Sequence, residues 1–494
     1  MRLKDVIEAV QPANVLGLID TEIRGVACHP DEVQGPGYLF VCMDEYLEYN
    51  RWFTWRAFLE KLPSMELAGV VSPSPVEGLS VPQLITPFPR KALGQAARLF
   101  LGNPDEGVQF LGVTGTNGKT TTTRLLAHLN NKLGIPCGSI GTLGIALGDS
   151  LNAAGTYTTP LSPELYRHLL TFRESGARAV SMEVSSHALT LDRVEGLLFD
   201  GAVLTNVERD HLDFHGTQEA YAMAKQGLFN LLKPGGVSVL NRASAFYNQF
   251  AEAAGGRVVS FGMENSGADY EVRNLILTPQ RSRFSMAVGN ETCPFESHLV
   301  GDFQVENVAA AVALMHAMGH SLEALADALK DFPPVCGRME QIFLPNGCTA
   351  IVDYAHNPDG LQHVLKACRP FCERKLHVAF GCGGDRDRGK RSIMGSIAAE
   401  LADVCWVTSD NPRTEDPEAI INDIMEGVQS SLSLASGSPE VHQVPDREEA
   451  LRTAYNHTKE GDLLVVAGKG HEDYQIIGLT KHPFSDQAIL RSFS

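Results

Sequence analysis

The sequence predicts an α/β protein with a small N-terminal α/β domain, a central parallel-sheet domain and a C-terminal Rossmann-like domain. Its 494 residues suffice for roughly three domains of about 150 residues each. Apolar strand, polar loop and helix alternate along most of the chain, as is typical of βαβ units. This alternation restarts after "FPPVCGRMEQI". We therefore expect domains over residues 1–88, 89–334 and 335–494.

The first of these segments mixes short strands with proline-containing loops. "GYLFVCM" and "LAGVVS" are predicted strands. "SPSPVEGLSVPQLITPFPRKALG" is rich in proline and serine, which indicates a boundary near residue 88.

The central segment begins with "VQFLGVTG", a predicted buried strand, and "TTTTRLLAHLNNKLG", the helix that follows it. "ARAVSMEV", "DGAVLTNV" and "GGVSVLN" are further predicted strands, and "DFQVENVAAAVALMHAMG" is strongly helical. The pattern predicts a parallel sheet.

The last segment repeats the pattern with the predicted strands "TAIVDYA", "KLHVAFG", "DVCWVTS" and "DLLVVAG". Each ends in a polar or glycine-rich loop. Ligands of such sheets bind beyond the carboxyl ends of the strands, so the chemistry is expected in these loops.

Composition excludes several classes of function. The chain is 44% hydrophobic and 20% charged, as folded domains are, and its net charge of −18 disfavours nucleic acid as a partner. Ten cysteines show no repeated pair spacing, and the single close pair in "CRPFC" is weak evidence for zinc. The N-terminus is a poor signal peptide, and no run approaches the ~20 apolar residues of a membrane span. We expect a cytoplasmic protein with reduced thiols and no membrane span.

A glycine-rich loop between the first central strand and its helix is typical of phosphate binding. The usual loop has a glycine five residues before its Gly-Lys-Ser/Thr end, but Val113 stands there, and the glycines are Gly112 and Gly115. Backbone N–H groups and the helix N-terminus favour phosphate. The lysine would reach the outer phosphates, and the threonine after it would bind Mg²⁺. The loop comprises Gly115, Thr116, Asn117, Gly118, Lys119, Thr120 and Thr121.

Two further segments place titratable groups at the same sheet edge. Glu183 ends an apolar strand, where a carboxylate is costly without a partner such as Mg²⁺. "TNVERDHLDFHG" follows the next strand and carries Asp210, His211, Asp213 and His215. Either segment alone is read as a polar loop or a satisfied core histidine, but their position beside a phosphate loop favours a metal-linked role. Lys225, the lone charge of "YAMAKQGLF", taken alone indicates a snorkelling surface lysine.

Ten motifs occur in the order found in the Mur ligases, and the chain resembles this family from about residue 110 to 475. They are "GTNGKTTT", "EVSSHAL", "TNVERDHLDFHG", "YAMAKQGLF", "ENVAAA", "GRME", "DYAHNPDG", "GCGGDRDRGKR", "SDNPRTEDP" and "GKGHE". The resemblance implies an ATP-dependent amide ligase of peptidoglycan precursor synthesis. ATP would phosphorylate a glutamate carboxylate to an acyl phosphate, which the incoming amine attacks, and Mg²⁺ and Lys119 would offset the repulsion between the anions.

The resemblance also assigns residues to the cofactors ATP and Mg²⁺. It implies that Thr120 and Glu183 serve one Mg²⁺ and that His211 serves a second. Lys225 matches the family's carbamylated lysine, whose added carboxylate helps to hold that second metal. A lysine kept uncharged by apolar surroundings can react with CO₂, so the resemblance overrides the snorkelling interpretation. For the base and ribose, the matching positions are Asn307, Arg338 and Asp353.

The substrates implied are UDP-N-acetylmuramoyl-L-alanyl-D-glutamate and meso-diaminopimelate. Arg413 carries the second assignment, because a guanidinium can grip the distal carboxylate that lysine lacks. In the family, Asp-Asn-Pro-Arg accompanies diaminopimelate, and Glu472 suits the distal ammonium. The resemblance further implies a monomer. Matching positions for the UDP-linked substrate are Thr158, Thr159, Ser185 and Arg193, and those for the amino acid are Arg386, Asp410, Asn411, Pro412, Arg413, Gly468 and Glu472.

The chain departs from the family pattern mainly before residue 90. The Asp-Ser-Arg stretch that contacts uridine in the family corresponds to "CHPDEVQGPGYLFV", so no uridine contact is assigned. Tyr157 and Leu191 stand where some members have asparagine and glutamine. Two alternatives stay open: another ligase of the superfamily, lysine-adding or folylpolyglutamate-forming, and a nucleotide-binding regulator without ligase activity. Arg413 with Glu472 disfavours the first, and intact Lys119, Glu183, His211 and Lys225 disfavour the second.

Overall fold

The structure is a computed structural model, and it describes residues 1–47, 51–148, 150–153, 155, 157–432 and 439–493. Three large sheets follow one another along the chain, each with helices packed against it. The predicted α/β class is confirmed. Within the described residues, no helix combines the length and apolarity that crossing a bilayer requires.

The N-terminal sheet has five strands in the order β1-β7-β6-β3-β2, and only β1 is antiparallel to its neighbour. The strands predicted in "GYLFVCM" and "LAGVVS" are confirmed as β3 and β6. The elements are α1 (Leu3–Val10), β1 (Asn14–Leu16), β2 (Gly25–Ala27), β3 (Tyr38–Val41), β4 (Glu45–Leu47), β5 (Arg51–Phe53), β6 (Gly69–Ser72), β7 (Gln83–Ile85) and α2 (Pro89–Phe100).

Helix α2 buries Ala92, Leu93 and Ala96 in the same apolar cluster as Leu3 of α1 and Leu39 of β3. It therefore belongs to the N-terminal core by its packing, although it follows the predicted boundary at residue 88. The boundaries near 88 and 334 stay predictions.

The central sheet has eleven strands in the order β11-β10-β9-β12-β8-β13-β14-β15-β16-β17-β18. The elements are β8 (Gln109–Thr114), α3 (Lys119–Lys132), β9 (Cys137–Gly141), β10 (Gly144–Leu147), β11 (Ser150–Ala153), α4 (Ser162–Glu174), β12 (Ala179–Glu183), α5 (Ser186–Thr190), β13 (Phe199–Leu204), α6 (Leu212–His215), α7 (Gln218–Gln226), β14 (Leu232–Asn241), α8 (Tyr247–Ala253), β15 (Arg257–Met263), β16 (Tyr270–Leu277), β17 (Ser282–Val288), β18 (Glu291–Ser297), α9 (Asp302–Ala317) and α10 (Leu322–Leu329).

Every strand and helix predicted for the central segment is confirmed, but the sheet is not wholly parallel. Strands β9 to β16 in this order run parallel, while β10 and β11 at one edge and β17 and β18 at the other are antiparallel. The apolar alternation of Phe284, Met286, Cys293 and Phe295 accounts for the second extension, since these side chains bury one face of a hairpin.

The C-terminal sheet has six strands in the order β19-β20-β24-β21-β22-β23, all parallel except β19. Its four predicted strands are confirmed as β20, β21, β22 and β24. The elements are β19 (Glu340–Phe343), β20 (Thr349–Asp353), α11 (Pro358–Cys368), β21 (Leu376–Phe380), α12 (Gly389–Leu401), β22 (Val404–Val407), α13 (Pro417–Leu432), β23 (Glu440–Gln443), α14 (Arg447–His457), β24 (Leu463–Ala467), β25 (Tyr474–Ile477), β26 (Thr480–Pro483) and α15 (Asp486–Arg491).

Candidate active site

One cavity of about 800 Å³ lies where the carboxyl ends of the central and C-terminal strands face each other. Every residue predicted for the site lines this cavity except Gly115, Thr159, Pro412 and His215. The two sets of loops that the sequence analysis singled out therefore meet at a single site. The prediction that ligands bind beyond the carboxyl ends of the strands agrees with this placement.

The glycines of the phosphate loop are required by close contacts. Gly115 has φ of +150°, and a Cβ there would stand 1.9 Å from the Thr205 hydroxyl. Gly118 has φ of +85°, and a Cβ there would stand 2.2 Å from Asn307 Oδ1. Only glycine fits either position without a shift of its neighbours.

The backbone of the loop is braced from one side and free to bind from the other. The N–H groups of Thr116 and Asn117 donate to Asn206 Oδ1 at 3.1 and 2.9 Å. The first helical bond of α3 runs from Thr122 N to Gly118 O at 3.0 Å, so the N–H groups of residues 118–121 precede the ladder. These are the groups available to a phosphate. Asn206 was not predicted as a site residue, although it stands in the motif "TNVERDHLDFHG".

Two lysines converge on the carbonyl oxygen of Gly115. Lys119 Nζ donates to it at 2.9 Å, and Lys225 Nζ donates to it at 2.7 Å. Lys225 is 1% exposed and lies 4.1 Å from the ring centroid of Tyr221. Burial, then the charge of Lys119, hold the pKa of Lys225 well below its usual value. The snorkelling interpretation of Lys225 is wrong, because the amine is buried.

Glu183 ends β12 with its carboxylate buried beside the loop. It is 1% exposed and accepts hydrogen bonds from Thr142 N at 2.8 Å and from Thr142 Oγ1 at 3.0 Å. A Cβ on Gly141 of the neighbouring strand β9 would stand 2.2 Å from Glu183 Oε1. Glycine at this position therefore leaves room for the carboxylate. Neutral donors alone hold this carboxylate at these two bonds, which leaves its charge for a cation.

Three histidines pack together at the entrance to α6. His211, in a left-handed conformation with φ of 51°, lies 4.8 Å from the His187 ring, and His187 lies 5.5 Å from His215. Burial lowers the pKa of His211 to about 3, against the opposing effect of Asp210. The neutral imidazole is the form that can bind a metal. Asp213 also lines the cavity.

The residues predicted for the base and ribose include contacts between the central and C-terminal regions. Arg338 Nη2 donates to Thr120 Oγ1 at 3.1 Å, and its guanidinium lies 4.4 Å from the Tyr354 ring. Asp353, at the end of β20, accepts backbone N–H groups of Met339 and Ala355, each at 2.8 Å. Asp353 thus shapes the turn that carries Arg338, and burial raises its pKa.

Of the residues assigned to the UDP-linked substrate, Thr158, Ser185 and Arg193 line the cavity and Thr159 does not. Thr159 Oγ1 donates to the Glu183 carbonyl at 2.8 Å and accepts from Ser185 N at 3.1 Å, so it braces the strand end. Arg193, which does line the cavity, is 4% exposed and forms an ion pair of 2.8 Å with Glu45 Oε1. Glu45 was not predicted as a site residue, because it lies 148 positions away from its partner in the sequence.

The amino-acid end of the cavity presents carboxylates beside a buried amine. Lys469, which is 0% exposed, donates to Asn411 Oδ1 at 3.0 Å and to Glu472 Oε2 at 3.3 Å. Its Nζ also lies 3.6 Å from Asp410 Oδ1. Burial and the charge of Asp410 raise the pKa of Glu472, whereas Lys469 and Arg447 lower that of Asp410 despite its burial. Lys469 was missed, although it stands inside "GKGHE".

Two guanidinium groups line the same end of the cavity. Arg413 has φ of 53°, and its Nη1 donates to the Gly384 carbonyl at 2.8 Å. A Cβ on Gly383 would stand 2.5 Å from that nitrogen, so the glycine pair admits the arginine. Arg386 follows Asp385, which accepts from the Thr414 hydroxyl at 2.8 Å and ties the two loops together.

Comparison with known proteins agrees with this architecture. A family model described as the Mur ligase middle domain matches residues 113–315, and one described as the Mur ligase, glutamate ligase domain matches residues 337–470. The UDP-N-acetylmuramoyl-L-alanyl-D-glutamate--2,6-diaminopimelate ligase of Geobacillus thermodenitrificans (strain NG80-2) is 39% identical over 463 residues, which cover 92% of each chain.

The protein of the same name from Thermosynechococcus vestitus (strain NIES-2133 / IAM M-273 / BP-1) is 39% identical over 499 residues, covering 100% of this chain and 97% of that one. A solved structure of a ligase of this name has a TM-score of 0.69 and 32% identity, and covers 100% of this chain and 98% of that chain. The family models together span more than half of the chain, and the relatives span nearly all of it. The chain belongs to the Mur ligase family.

Proposed function

We propose that this protein is an ATP-dependent ligase that adds meso-diaminopimelate to UDP-N-acetylmuramoyl-L-alanyl-D-glutamate. The observation that carries the proposal is the single cavity, which joins a phosphate loop to a pair of guanidinium groups and a pair of carboxylates. Diaminopimelate carries ammonium and carboxylate groups at both ends, so it needs both kinds of partner. The names of the two relatives support the same assignment.

At the nucleotide end, the residues of the chain bind and orient phosphate. The N–H groups of residues 118–121 and the amine of Lys119 would contact the phosphates of ATP. Lys119 would leave the Gly115 and Thr116 carbonyls, which it contacts at 2.9 and 2.8 Å, to do so. Transfer of the terminal phosphoryl group to the substrate carboxylate gives an acyl phosphate and ADP. The amine then attacks the acyl carbon and releases phosphate.

The residues assigned to Mg²⁺ fit a cation in part. Glu183 offers a buried carboxylate that neutral donors hold, and Thr120 offers a hydroxyl at the start of α3. When bound, Mg²⁺ would neutralise charge on the phosphate oxygens. His211 is kept neutral by burial. Among the described residues, neither Glu183 nor His211 belongs to a set of three side-chain ligand atoms within 4.8 Å of one another. We therefore propose that phosphate oxygens and a carbamate on Lys225 complete the set.

At the amino-acid end, charge complementarity decides the substrate. Asp410 Oδ1 is buried, and it accepts no hydrogen bond in the part of the chain that the structure describes. Asp410 and Glu472 would receive the ammonium groups, while Arg413 and Arg386 would receive the distal carboxylate. An amine without that carboxylate would not form charge-assisted pairs with Arg413 and Arg386.

The remaining features of the proposal follow from the family. We propose a monomer that acts in the cytoplasm on a peptidoglycan precursor. The N-terminal sheet would contact the UDP-linked substrate, although no uridine contact is assigned to a residue there. A lysine-adding relative, a folylpolyglutamate synthetase and an inactive regulator are the alternatives.

The decisive experiment measures phosphate release from ATP with the UDP-linked dipeptide and one amine at a time. Meso-diaminopimelate should support turnover, and lysine should not. Turnover with lysine alone would replace the proposal by the lysine-adding alternative. Turnover with neither amine would favour the regulator.

Arg413→Ala provides the matching variant. It should raise the Michaelis constant for meso-diaminopimelate at least tenfold, because a charge-assisted pair is lost, while ATP binding measured by calorimetry changes little. Arg388→Ala, which removes a 71%-exposed guanidinium from the other loop, is the control and should change neither quantity. Equal losses of both affinities in Arg413→Ala would contradict the assigned role.

A further inference from the structure

The C-terminal sheet carries a cluster of metal-ligating side chains outside the cavity. Glu440, His442 and His457 each offer one ligand atom, and these three atoms lie within 4.8 Å of one another. None of the three lines the cavity. Glu440 and His442 lie on the edge strand β23, and His457 is the last residue of α14. A metal here would be chemically separate from the nucleotide and substrate sites.

The side chains of the cluster are held by a buried tryptophan. Trp406 is 0% exposed and is the register partner of His442 in the neighbouring strand β22. Its indole stacks on the His442 ring at 4.1 Å with an angle of 11°, and it meets the His457 ring edge-on at 5.0 Å. Two imidazoles from different elements therefore rest against one rigid surface. This support restricts their rotamers before any ion binds.

Hydrogen bonds orient the three side chains of the cluster and determine which of their atoms carry protons. His457 Nδ1 lies 2.9 Å from the Thr453 carbonyl, and since a carbonyl only accepts, Nδ1 carries a proton and Nε2 is the nitrogen whose lone pair the neutral ring offers to a metal. Glu440 Oε2 lies 3.4 Å from Lys375 Nζ, and Glu440 Oε1 accepts from His442 Nε2 at 2.9 Å, so metal binding through Nε2 would release that proton. The oxygen that faces the histidines is thus not the one paired with lysine.

We propose that Glu440, His442 and His457 form a binding site for a divalent transition-metal ion, Zn²⁺ in the first place. Two imidazoles and one carboxylate are the ligand set of open zinc sites, in which water takes the fourth position. Mg²⁺ prefers oxygen ligands, so the site should discriminate against the ion used with ATP. Bound metal would link the edge strand β23 to the C-terminal end of α14.

The test uses the full chain without nucleotide and Zn²⁺ alone as the probe. Competition with a chromophoric chelator should show one equivalent of Zn²⁺ bound to the wild type. Binding should weaken at least tenfold in His442→Gln and in His457→Gln. His298→Gln, which removes an exposed histidine of the central region, is the matched control and should bind as the wild type does.

Trp406 supplies a second readout that reports position. Cu²⁺, which quenches nearby indoles, should reduce the emission of the wild type and of His298→Gln, but not that of His457→Gln. Zn²⁺ should also slow amide exchange in β23 and α14. Equal Zn²⁺ binding by all variants, or no binding by the wild type at millimolar Zn²⁺, would overturn the proposal. Circular dichroism of His442→Gln and His457→Gln should match that of the wild type, which shows that loss of binding is not loss of fold.

Discussion

Lys225 and Lys119 share one carbonyl acceptor, and this contact has a chemical consequence for Lys225. Burial lowers the pKa of Lys225, and the charge of Lys119, which donates to the same Gly115 oxygen, lowers it further. A lowered pKa favours the neutral amine, which is the form that reacts with CO₂. A carbamate would place an anion beside Lys119.

We therefore expect wild-type protein equilibrated with ¹³C-bicarbonate to give a carbamate resonance that Lys225→Ala lacks. Lys225→Ala should also lose nearly all ligase activity, and a small carboxylate such as formate should restore part of it. Lys233→Ala, which removes a partly exposed lysine paired with Asp200 at 2.8 Å, is the control. A fully active Lys225→Ala enzyme would remove the carbamate from the proposed function.

The ion pair between Glu45 and Arg193 concerns the other substrate. Both side chains are nearly buried, at 6% and 5% exposure, and Arg193 is the guanidinium assigned to the UDP-linked dipeptide. The Glu45 carboxylate therefore stands where it competes with a carboxylate of the substrate. Arg193 Nη1 also donates to the Thr159 carbonyl at 3.3 Å, which keeps the guanidinium oriented when Glu45 leaves.

Glu45→Gln should lower the Michaelis constant for the UDP-linked dipeptide about three- to tenfold, where tenfold corresponds to ~1.4 kcal/mol. The turnover number should change little, because the phosphate loop is untouched. Steady-state kinetics with varied UDP-dipeptide measures both quantities. Glu66→Gln, which alters an exposed carboxylate of the same sheet region, is the control. A raised Michaelis constant in Glu45→Gln would indicate that Glu45 positions Arg193 instead.

At the scale of elements, Arg447 at the start of α14 connects helix α15 to the loops that follow β22 and β24. It forms a forked pair with Asp486 of α15, at 2.9 and 2.8 Å, and both side chains are 0% exposed. It also donates to the carbonyls of Ser409 and Ala467, at 3.4 and 3.0 Å. These carbonyls precede the loops that carry Asp410 and Gly468, so the fork positions the amino-acid end of the cavity.

Arg447→Met should lower the free energy of unfolding by about 3–5 kcal/mol, because it leaves the Asp486 charge buried and unpaired. Denaturant unfolding followed by circular dichroism measures this loss. The double variant Arg447→Met/Asp486→Leu should recover much of it. Arg452→Met, which breaks an exposed pair within α14, is the control and should cost under about 0.5 kcal/mol. A loss in Arg447→Met no larger than in this control would contradict the role of the fork.

The elements that sequence predicts and those it misses differ in their physical origin. Strands such as β8 and β12 are buried and mostly apolar, and their direction follows from the helices between them. The direction and pairing of β17 and β18 depend on distant contacts, which no local pattern specifies. The added antiparallel edges were therefore not predicted.

The same distinction applies to the site. Lys119 and Arg413 stand in short motifs whose spacing is itself the signal, and the cavity contains both. Glu45, Asn206 and Lys469 act through partners that the fold brings to them from elsewhere in the chain, or through burial that their own segment does not reveal. Residues that brace a site carry little local signature, because any hydrogen-bonding side chain at the right place would serve.

At the scale of the whole molecule, contacts between the central and C-terminal sheets close the cavity. Asn357 Nδ2 donates to Asn117 Oδ1 of the phosphate loop at 3.2 Å and to Asp210 Oδ2 at 3.3 Å. At the surface, Arg209 and Asp387 form a partly exposed pair of 3.2 Å. The buried amide contact is the stronger tie, since exposed pairs contribute only about 0–1 kcal/mol.

Asn357→Asp should loosen the closed arrangement, because a carboxylate would face Asp210 while still capping α11, as Asn357 Oδ1 now does at 2.8 Å. We expect a larger radius of gyration by small-angle scattering without ligands, and a higher Michaelis constant for ATP. Arg209→Ala is the control and should change both only slightly. Unchanged scattering and kinetics in Asn357→Asp would show that this contact does not hold the sheets together.

The hydrogen bond from Arg338 to Thr120 connects the part of the cavity proposed to bind ATP to the part proposed to bind the amine. Arg338 and Arg413 lie in loops beside strands of the C-terminal sheet, whereas Lys119 and Thr120 begin helix α3 of the central region. A nucleotide bound by both Lys119 and Arg338 would fix the separation of the two sheets, and hence the position of the proposed amino-acid pocket over the reacting carboxylate. The acyl phosphate would then form with the amine already within reach, which would limit its loss to water.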